Sequence, residues 1–285
     1  MSDAAADAAV AAAAEPAPTL APLAGLGLAT AASLAVALVV GRRVQRGLPA
    51  VEPRPHPAAT WSGADVALVA LVYGGLLTAA GVVVPAGSSL RLTLLADIAV
   101  KAAATLVGIG VLRTAGASWA ALGIAGRRWH DDLRLAVGAL ALVVAPLLGL
   151  AGVLDRIVPY EHPVVTFLRE HRDPVAVALV IIAAVVAAPI GEEFFFRRVL
   201  QGWLEQRLPE AGGAAAIGLQ AAAFAAAHLG HGLAAAPLFL FGLVLGVIAR
   251  ATGSLVPCVI LHALFNAVSV GLLLATPAAA AGGGG

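Results

Sequence analysis

The sequence predicts an all-α fold, a polytopic bundle of about eight transmembrane helices. Three observations carry that expectation. Apolar residues make up 61% of the chain and charged residues only 12%, whereas soluble domains are about half apolar and about a quarter charged. The mean hydropathy is +0.96. The apolar residues also fall into runs that meet the requirement of a bilayer core, roughly 20 residues at about 1.5 Å rise each.

In order along the chain, the apolar spans lie near 20–41, 65–85, 92–113, 134–154, 174–190, 213–229, 236–250 and 255–275. Residues 1–18 mix Ala with Asp3, Asp7, Glu15, Pro16 and Pro18 and lack a basic n-region, so they read as a disordered tail rather than a cleavable signal. Residues 276–285, which close on a run of glycine, read as a second tail with nothing to pack. Between the tails, residues 19–173 contribute spans without catalytic motifs, and residues 174–275 hold the intramembrane polar groups that make up the expected catalytic core. A net charge of +1, from 17 basic and 16 acidic residues, gives no electrostatic case for nucleic acid. The single cysteine, Cys258, excludes a disulfide within the chain and a cysteine-based metal knuckle.

Basic residues outside the spans form four groups: Arg42, Arg43 and Arg46; Arg127, Arg128 and Arg134; Arg197, Arg198 and Arg207; and Arg250. They follow the first, third, fifth and seventh spans, so the positive-inside rule puts those loops in the cytoplasm and both termini outside. The outer segment 155–173 offsets Arg156, Arg169 and Arg172 with Glu161, Glu170 and two aspartates. Gly242 and Gly246 make one GxxxG face for close helix packing, although that spacing also arises by chance in a chain with 32 glycines.

A charged side chain in a span costs on the order of 3 kcal/mol by insertion scales and needs a partner or a task. The exceptions concentrate late in the chain. Glu192 and Glu193 follow the run Val175–Ile190, with Arg197 four residues beyond Glu193. On a helix Glu193 and Arg197 pair one turn apart, and Glu192, about 100° away, stays free for chemistry. Phe224-x-x-x-His228 sits in an otherwise apolar helix, with His231 in a glycine-flanked loop beyond it. His262-x-x-x-Asn266 places imidazole and carboxamide on one helix face of the last span. Each motif alone has an ordinary reading, as an interfacial charge cluster or as polar glue between helices. Together they are hard to explain as packing.

A carboxylate and an imidazole, Glu192 with His228, can hold and deprotonate a water. A second imidazole and a carboxamide, His262 with Asn266, can donate to the oxyanion formed when water attacks an amide carbonyl. The same residues also suit zinc, with Glu192, His228 and His262 as ligands and a fourth position for water, and spacing alone leaves both uses open.

The three motifs, in this order and at these intervals, resemble those of the CPBP family. Its members are intramembrane proteases related to type II CAAX prenyl endopeptidases and to bacteriocin-processing or self-immunity proteins. The resemblance covers residues 174 to 275. It implies an intramembrane endopeptidase in which Glu192 and His228 activate water, His262 and Asn266 stabilise the oxyanion, and Glu193 and Arg197 form a supporting pair. The family is commonly labelled metalloprotease, yet its CAAX-processing members look like glutamate-dependent enzymes, so a divalent metal such as zinc stays open as a cofactor. One departure is Arg198, where a glycine usually follows the motif arginine. Its side chain would narrow or recharge the entrance, or face the cytoplasm.

The implied site also constrains the fold. If the fifth span ended at Ile190 on the cytoplasmic side, Glu192 and His228 would lie on opposite faces of the membrane. Either one long tilted helix from Pro174 to about Arg207, with the glutamates near mid-depth, or a sixth span offset so that His228 sits deep removes that conflict; the mostly apolar stretch Phe194 to Leu200 and the pairing of Arg197 with Glu193 favour the long helix. The expected partners are a peptide or membrane-protein substrate and the lipid bilayer. The Ala-heavy, Lys-poor composition points to a bacterial cell membrane. Two other functions compete: a silent scaffold or immunity-type protein, and a proton-relay transporter, against which stands the lack of an internal repeat.

Overall fold

The computed structural model describes residues 20–85, 87–125, 128–160, 173–211 and 213–275. The expected tails 1–18 and 276–285, Arg127, and the stretch with Glu161, Arg169, Glu170 and Arg172 lie outside the described residues. Every regular element described is helical. The helices are α1 (Leu20–Gln45), α2 (Gly63–Val83), α3 (Leu90–Thr114), α4 (Trp129–Ile157), α5 (Pro174–Arg207), α6 (Ala214–Ala226), α7 (Ala235–Thr252) and α8 (Val256–Ala275). Seven of these are long and apolar enough to cross a membrane, and α6 is the exception. Its 13 residues rise only about 20 Å, less than a bilayer core of about 30 Å.

Local sequence sets the helix starts. Ser62 and Asp65 form a reciprocal capping box at α2, in which the Ser62 hydroxyl accepts from the Asp65 N–H and the Asp65 carboxylate accepts from the Ser62 N–H. Ser89 caps α3. Asp173 caps α5 by accepting from the Ala176 N–H at 2.9 Å, with Pro174 in the first turn where a missing N–H costs nothing.

Helix α5 is continuous over 34 residues, as the site argument favoured, but it is not a uniform α-helix. Ile182–Ala187 and Phe194–Leu200 are π-helical turns on either side of the Pro189–Glu193 stretch. Proline has no N–H, and its ring crowds the carbonyl one turn back in an α-helix; the wider π turn relieves that contact. The register shift has one further effect. The Ala188 N–H donates to the Ala183 carbonyl, so the Ala184 carbonyl would next take an N–H from position 189, where proline offers none. Asn266 on α8 donates its Nδ2 to that carbonyl at 2.7 Å.

Helix α5 runs between two buried clusters. Phe196 packs on one side with Phe224, Phe241, Leu245, Cys258 and Leu261, from α6, α7 and α8. Phe194 and Val199 pack on the other with Val69, Leu112, Leu122 and Trp61. The GxxxG pair is used: a side chain at Gly242 would meet the Cα of Ala221 at 3.1 Å, and Gly246 faces Gln220, so α6 and α7 approach closely.

The segments expected on the cytoplasmic side gather at one end of the bundle. The Arg54 N–H donates to the Ala251 carbonyl at 2.7 Å, His56 contacts the Arg250 carbonyl at 3.0 Å, and the Leu255 N–H donates to the Gly123 carbonyl at 3.0 Å. Arg54 pairs with the buried Asp132. Two members of the basic groups do not belong there. Arg197 and Arg198 are buried, at 1% and 5% exposure, because α5 continues through them. Arg198 neither lines an entrance nor faces the cytoplasm: its guanidinium donates to the Ala121 carbonyl and ties the α3–α4 connection to α5.

Candidate active site

Two adjacent carboxylates on α5 meet two environments. Glu193 is sealed: its Oε2 lies 3.0 Å from Arg197 Nε, both side chains fully buried. Its Oε1 accepts from His262 Nδ1 at 2.8 Å. Arg197 in turn donates from Nη1 to Gln220 Oε1 at 3.0 Å, and Gln220 Nε2 donates to the Gly242 carbonyl at 2.9 Å. The Arg197 guanidinium also lies 4.7 Å from the centre of the Phe224 ring, a cation–π contact strengthened by exclusion of water. The spacing of Glu193 and Arg197 and this desolvated network make the pair a fixed post joining α5, α6, α7 and α8.

Glu192 points elsewhere. Its side chain is 23% exposed, and with His228 it lines a cavity of about 330 Å³ whose other walls include Tyr73 and Leu77 of α2, Lys101 of α3, and Phe195 and Phe196. His228 does not sit within a helix as expected; it lies in the turns just past α6. Irregular backbone at this depth is stable only where protein or a cavity covers it, and the short α6 is what leaves His228 at that level. Measured along the helices from the basic end, Glu192 and His228 each lie about 20 Å in. His228 Nδ1 contacts the Phe224 carbonyl at 2.8 Å; a carbonyl only accepts, so that nitrogen carries a proton, and in the neutral ring Nε2 keeps its lone pair.

His262 stands behind Glu192, with Nε2 at 3.9 Å from Glu192 Oε2, too long for a hydrogen bond. Glu192, Glu193, Arg197 and His262 are thus brought into one connected cluster, and His228 shares the cavity with Glu192. Asn266 sits apart from both, with Nδ2 committed to the α5 backbone at Ala184. The ring of His231 is 5.9 Å from that of His228.

Some groups near the site were not singled out in the sequence. Tyr73 Oη lies 2.7 Å from Thr105 Oγ1 and 3.2 Å from the Gly191 carbonyl, against the residue that precedes Glu192. Asp97 and Lys101 form an intramembrane i, i+4 ion pair on α3, outside the segment 174–275. That pair has the same spacing as Glu193 and Arg197 and was open to the same reading. Tyr73, Thr105 and Gln220 carry no spacing signal. As for a metal, no three His, Cys, Asp or Glu side chains among the described residues come together as a set able to hold one. Glu192, His228 and His262 are not grouped as such a set in this arrangement.

A membrane-spanning helical bundle with a buried carboxylate and imidazole cluster between its late helices is the class of protein that fold and site define. Residues 174–268 match the family model described as type II CAAX prenyl endopeptidase Rce1-like. This segment is similar to that family of membrane endopeptidases, and with seven helices long and apolar enough to cross a membrane the protein is an integral membrane protein. The matched segment contains α5, α6, α7 and the part of α8 that bears His262 and Asn266. No curated protein and no solved structure matches the chain.

Proposed function

We propose that the protein is a glutamate-type endopeptidase that hydrolyses peptide bonds within the membrane, in the cavity shared by Glu192 and His228. The observation that carries this reading is that two residues from separate motifs, Glu192 and His228, line one cavity while the neighbouring Glu193 is locked away from it. A water held there donates one hydrogen bond to the Glu192 carboxylate and another to His228 Nε2. As its oxygen attacks the peptide carbonyl carbon, its proton passes to Glu192; the carbonyl electron pair moves to oxygen, giving a tetrahedral oxyanion. Collapse breaks the C–N bond, and the leaving amine takes the proton from Glu192.

Glu193 supports this by charge and position. It holds His262 by Nδ1 and is itself neutralised by Arg197, which keeps the imidazole edge turned toward Glu192. Because Glu192, His228 and His262 do not assemble as a ligand set, no step is assigned to a metal. The substrate is a peptide precursor or a membrane protein.

The test compares new peptide N-termini in membranes from cells carrying the wild type with those from cells carrying Glu192→Ala, at matched expression. Termini present only with the wild type support the reading, and their flanking sequences name the substrate. Identical profiles contradict it and favour a scaffold. Turnover in purified protein is expected to survive a chelator such as phenanthroline; its loss, restored by zinc, would overturn the glutamate-type assignment.

A further inference from the structure

The attack described above needs a hydrogen-bond donor aimed at the developing oxyanion. The two groups expected for that task lie off the cavity lining, each with one donor engaged elsewhere. His262 Nδ1 is bonded to Glu193, and its Nε2 faces Glu192. Asn266 Nδ2 is bonded to the Ala184 carbonyl, which Pro189 leaves without a backbone donor. Neither residue is among those lining the cavity that holds Glu192 and His228.

The cavity wall does offer other donors, from helices outside the matched family segment. Lys101 lines it, but its ammonium group is bonded to both carboxylate oxygens of Asp97. Tyr73 also lines it, and its hydroxyl has only one hydrogen to serve two contacts, Thr105 Oγ1 at 2.7 Å and the Gly191 carbonyl at 3.2 Å. Thr105 gives its own hydrogen to the Lys101 carbonyl at 2.7 Å. The Gly191 carbonyl already accepts the Phe194 N–H. Turning the Tyr73 hydrogen away from these oxygens strands no donor, so its release costs little. The phenol ring is held meanwhile by Phe195, with centroids 5.4 Å apart.

From this geometry we infer that Tyr73 is a catalytic residue whose hydroxyl donates to the oxyanion when water attacks the substrate carbonyl, with Thr105 as the positioning residue that parks the hydroxyl beforehand. The inference rests on the endopeptidase reading above and adds to it a group from α2. The phenol stays protonated throughout: it stabilises the negative oxygen by a hydrogen bond, and the water proton still travels through Glu192 to the leaving amine.

The experiment uses the full chain in phosphatidylethanolamine–phosphatidylglycerol proteoliposomes, with an internally quenched peptide library of mixed sequence as the probe. Initial rates are measured for the wild type, Glu192→Gln, Tyr73→Phe and Thr105→Val. Tyr73→Phe keeps the ring and its packing, and it is expected to lower kcat by about 10²-fold, as loss of one oxyanion donor does, with KM and the melting midpoint near wild type. Thr105→Val, which leaves the phenol in place, is expected to lose less. Wild-type kcat in Tyr73→Phe, or a loss confined to KM, overturns the inference while a silent Glu192→Gln leaves the endopeptidase reading standing. Equal losses in Tyr73→Phe and Thr105→Val would mark the hydroxyl pair as a structural tie and overturn the catalytic role. Undiminished cleavage by Glu192→Gln overturns the reading, and the inference with it.

Discussion

Glu192 and Glu193 are neighbours on one helix, yet one side of α5 at this level is a buried, charge-paired network and the other opens on a cavity. On the closed side, Glu193 is held between Arg197 and His262, and Arg197 reaches Gln220, so four helices are pinned by groups that have no solvent. On the open side, Glu192 keeps partial exposure and faces His228 and Tyr73 across space large enough for several waters. The difference teaches that identical side chains acquire different tasks from their partners alone. A paired, buried carboxylate is a structural part, and an underpartnered one beside a cavity is available for proton transfer.

The contrast can be broken most severely at Arg197. Arg197→Ala leaves Glu193 buried without its cation, and loss of one partner of such a pair costs about 3–5 kcal/mol. Unfolding in detergent, followed by denaturant or heat, is expected to show that loss; a variant as stable as the wild type would mean that water reaches the pair. A smaller effect on the same side is expected from Gln220→Leu, which removes the acceptor for Arg197 Nη1 and the donor to the Gly242 carbonyl. Leaving these buried groups unsatisfied costs about 1–3 kcal/mol, read in the same unfolding assay, with the cavity-side chemistry retained in the fraction that stays folded.

The smallest effect lies at the start of α5, away from both sides. The Ala176 N–H holds the Asp173 carboxyl below the ordinary aspartate range, opposed by desolvation and aided by the nearby Arg91 guanidinium. A group whose folded value is depressed contributes stability above its unfolded value and loses it as pH falls through the folded one. The melting midpoint of Asp173→Asn is therefore expected to sit slightly below wild type at neutral pH, and the gap is expected to close on acidification. A gap that widens toward low pH would contradict the capping role.

Much of this arrangement was legible in the sequence, because hydropathy sums over some twenty residues and i, i+4 spacing fixes which side chains share a helix face. The long spans and the Glu193–Arg197 pair follow from those two rules, and the continuity of α5 from the need to bring Glu192 and His228 to one level. Two misreadings have a common origin in where helices end. Hydropathy stops at Ile190, so Arg197 and Arg198 looked like loop charges, yet Arg197 is neutralised by Glu193 and Arg198 is bonded to the Ala121 carbonyl inside the protein. Similarly, the Ala-rich run through 229 looked like a full span, whereas the helix stops at Ala226 and leaves His228 in a turn. The bond from Asn266 to Ala184 depends on the π register before Pro189, and the contact of Tyr73 with Gly191 depends on how α2 packs on α5. Neither has a periodic signature.

The division of labour between the two carboxylates is tested most directly by making Glu192→Gln and Glu193→Gln side by side and measuring peptide turnover and unfolding on each. Glu192→Gln is expected to lose turnover by about 10²–10⁴-fold, the range for removal of a general base, with an unfolding midpoint like that of the wild type. Glu193→Gln is expected to unfold more readily, because Arg197 and His262 lose the charge between them. Turnover intact in Glu192→Gln, or a stability loss equal in the two variants, would contradict the account.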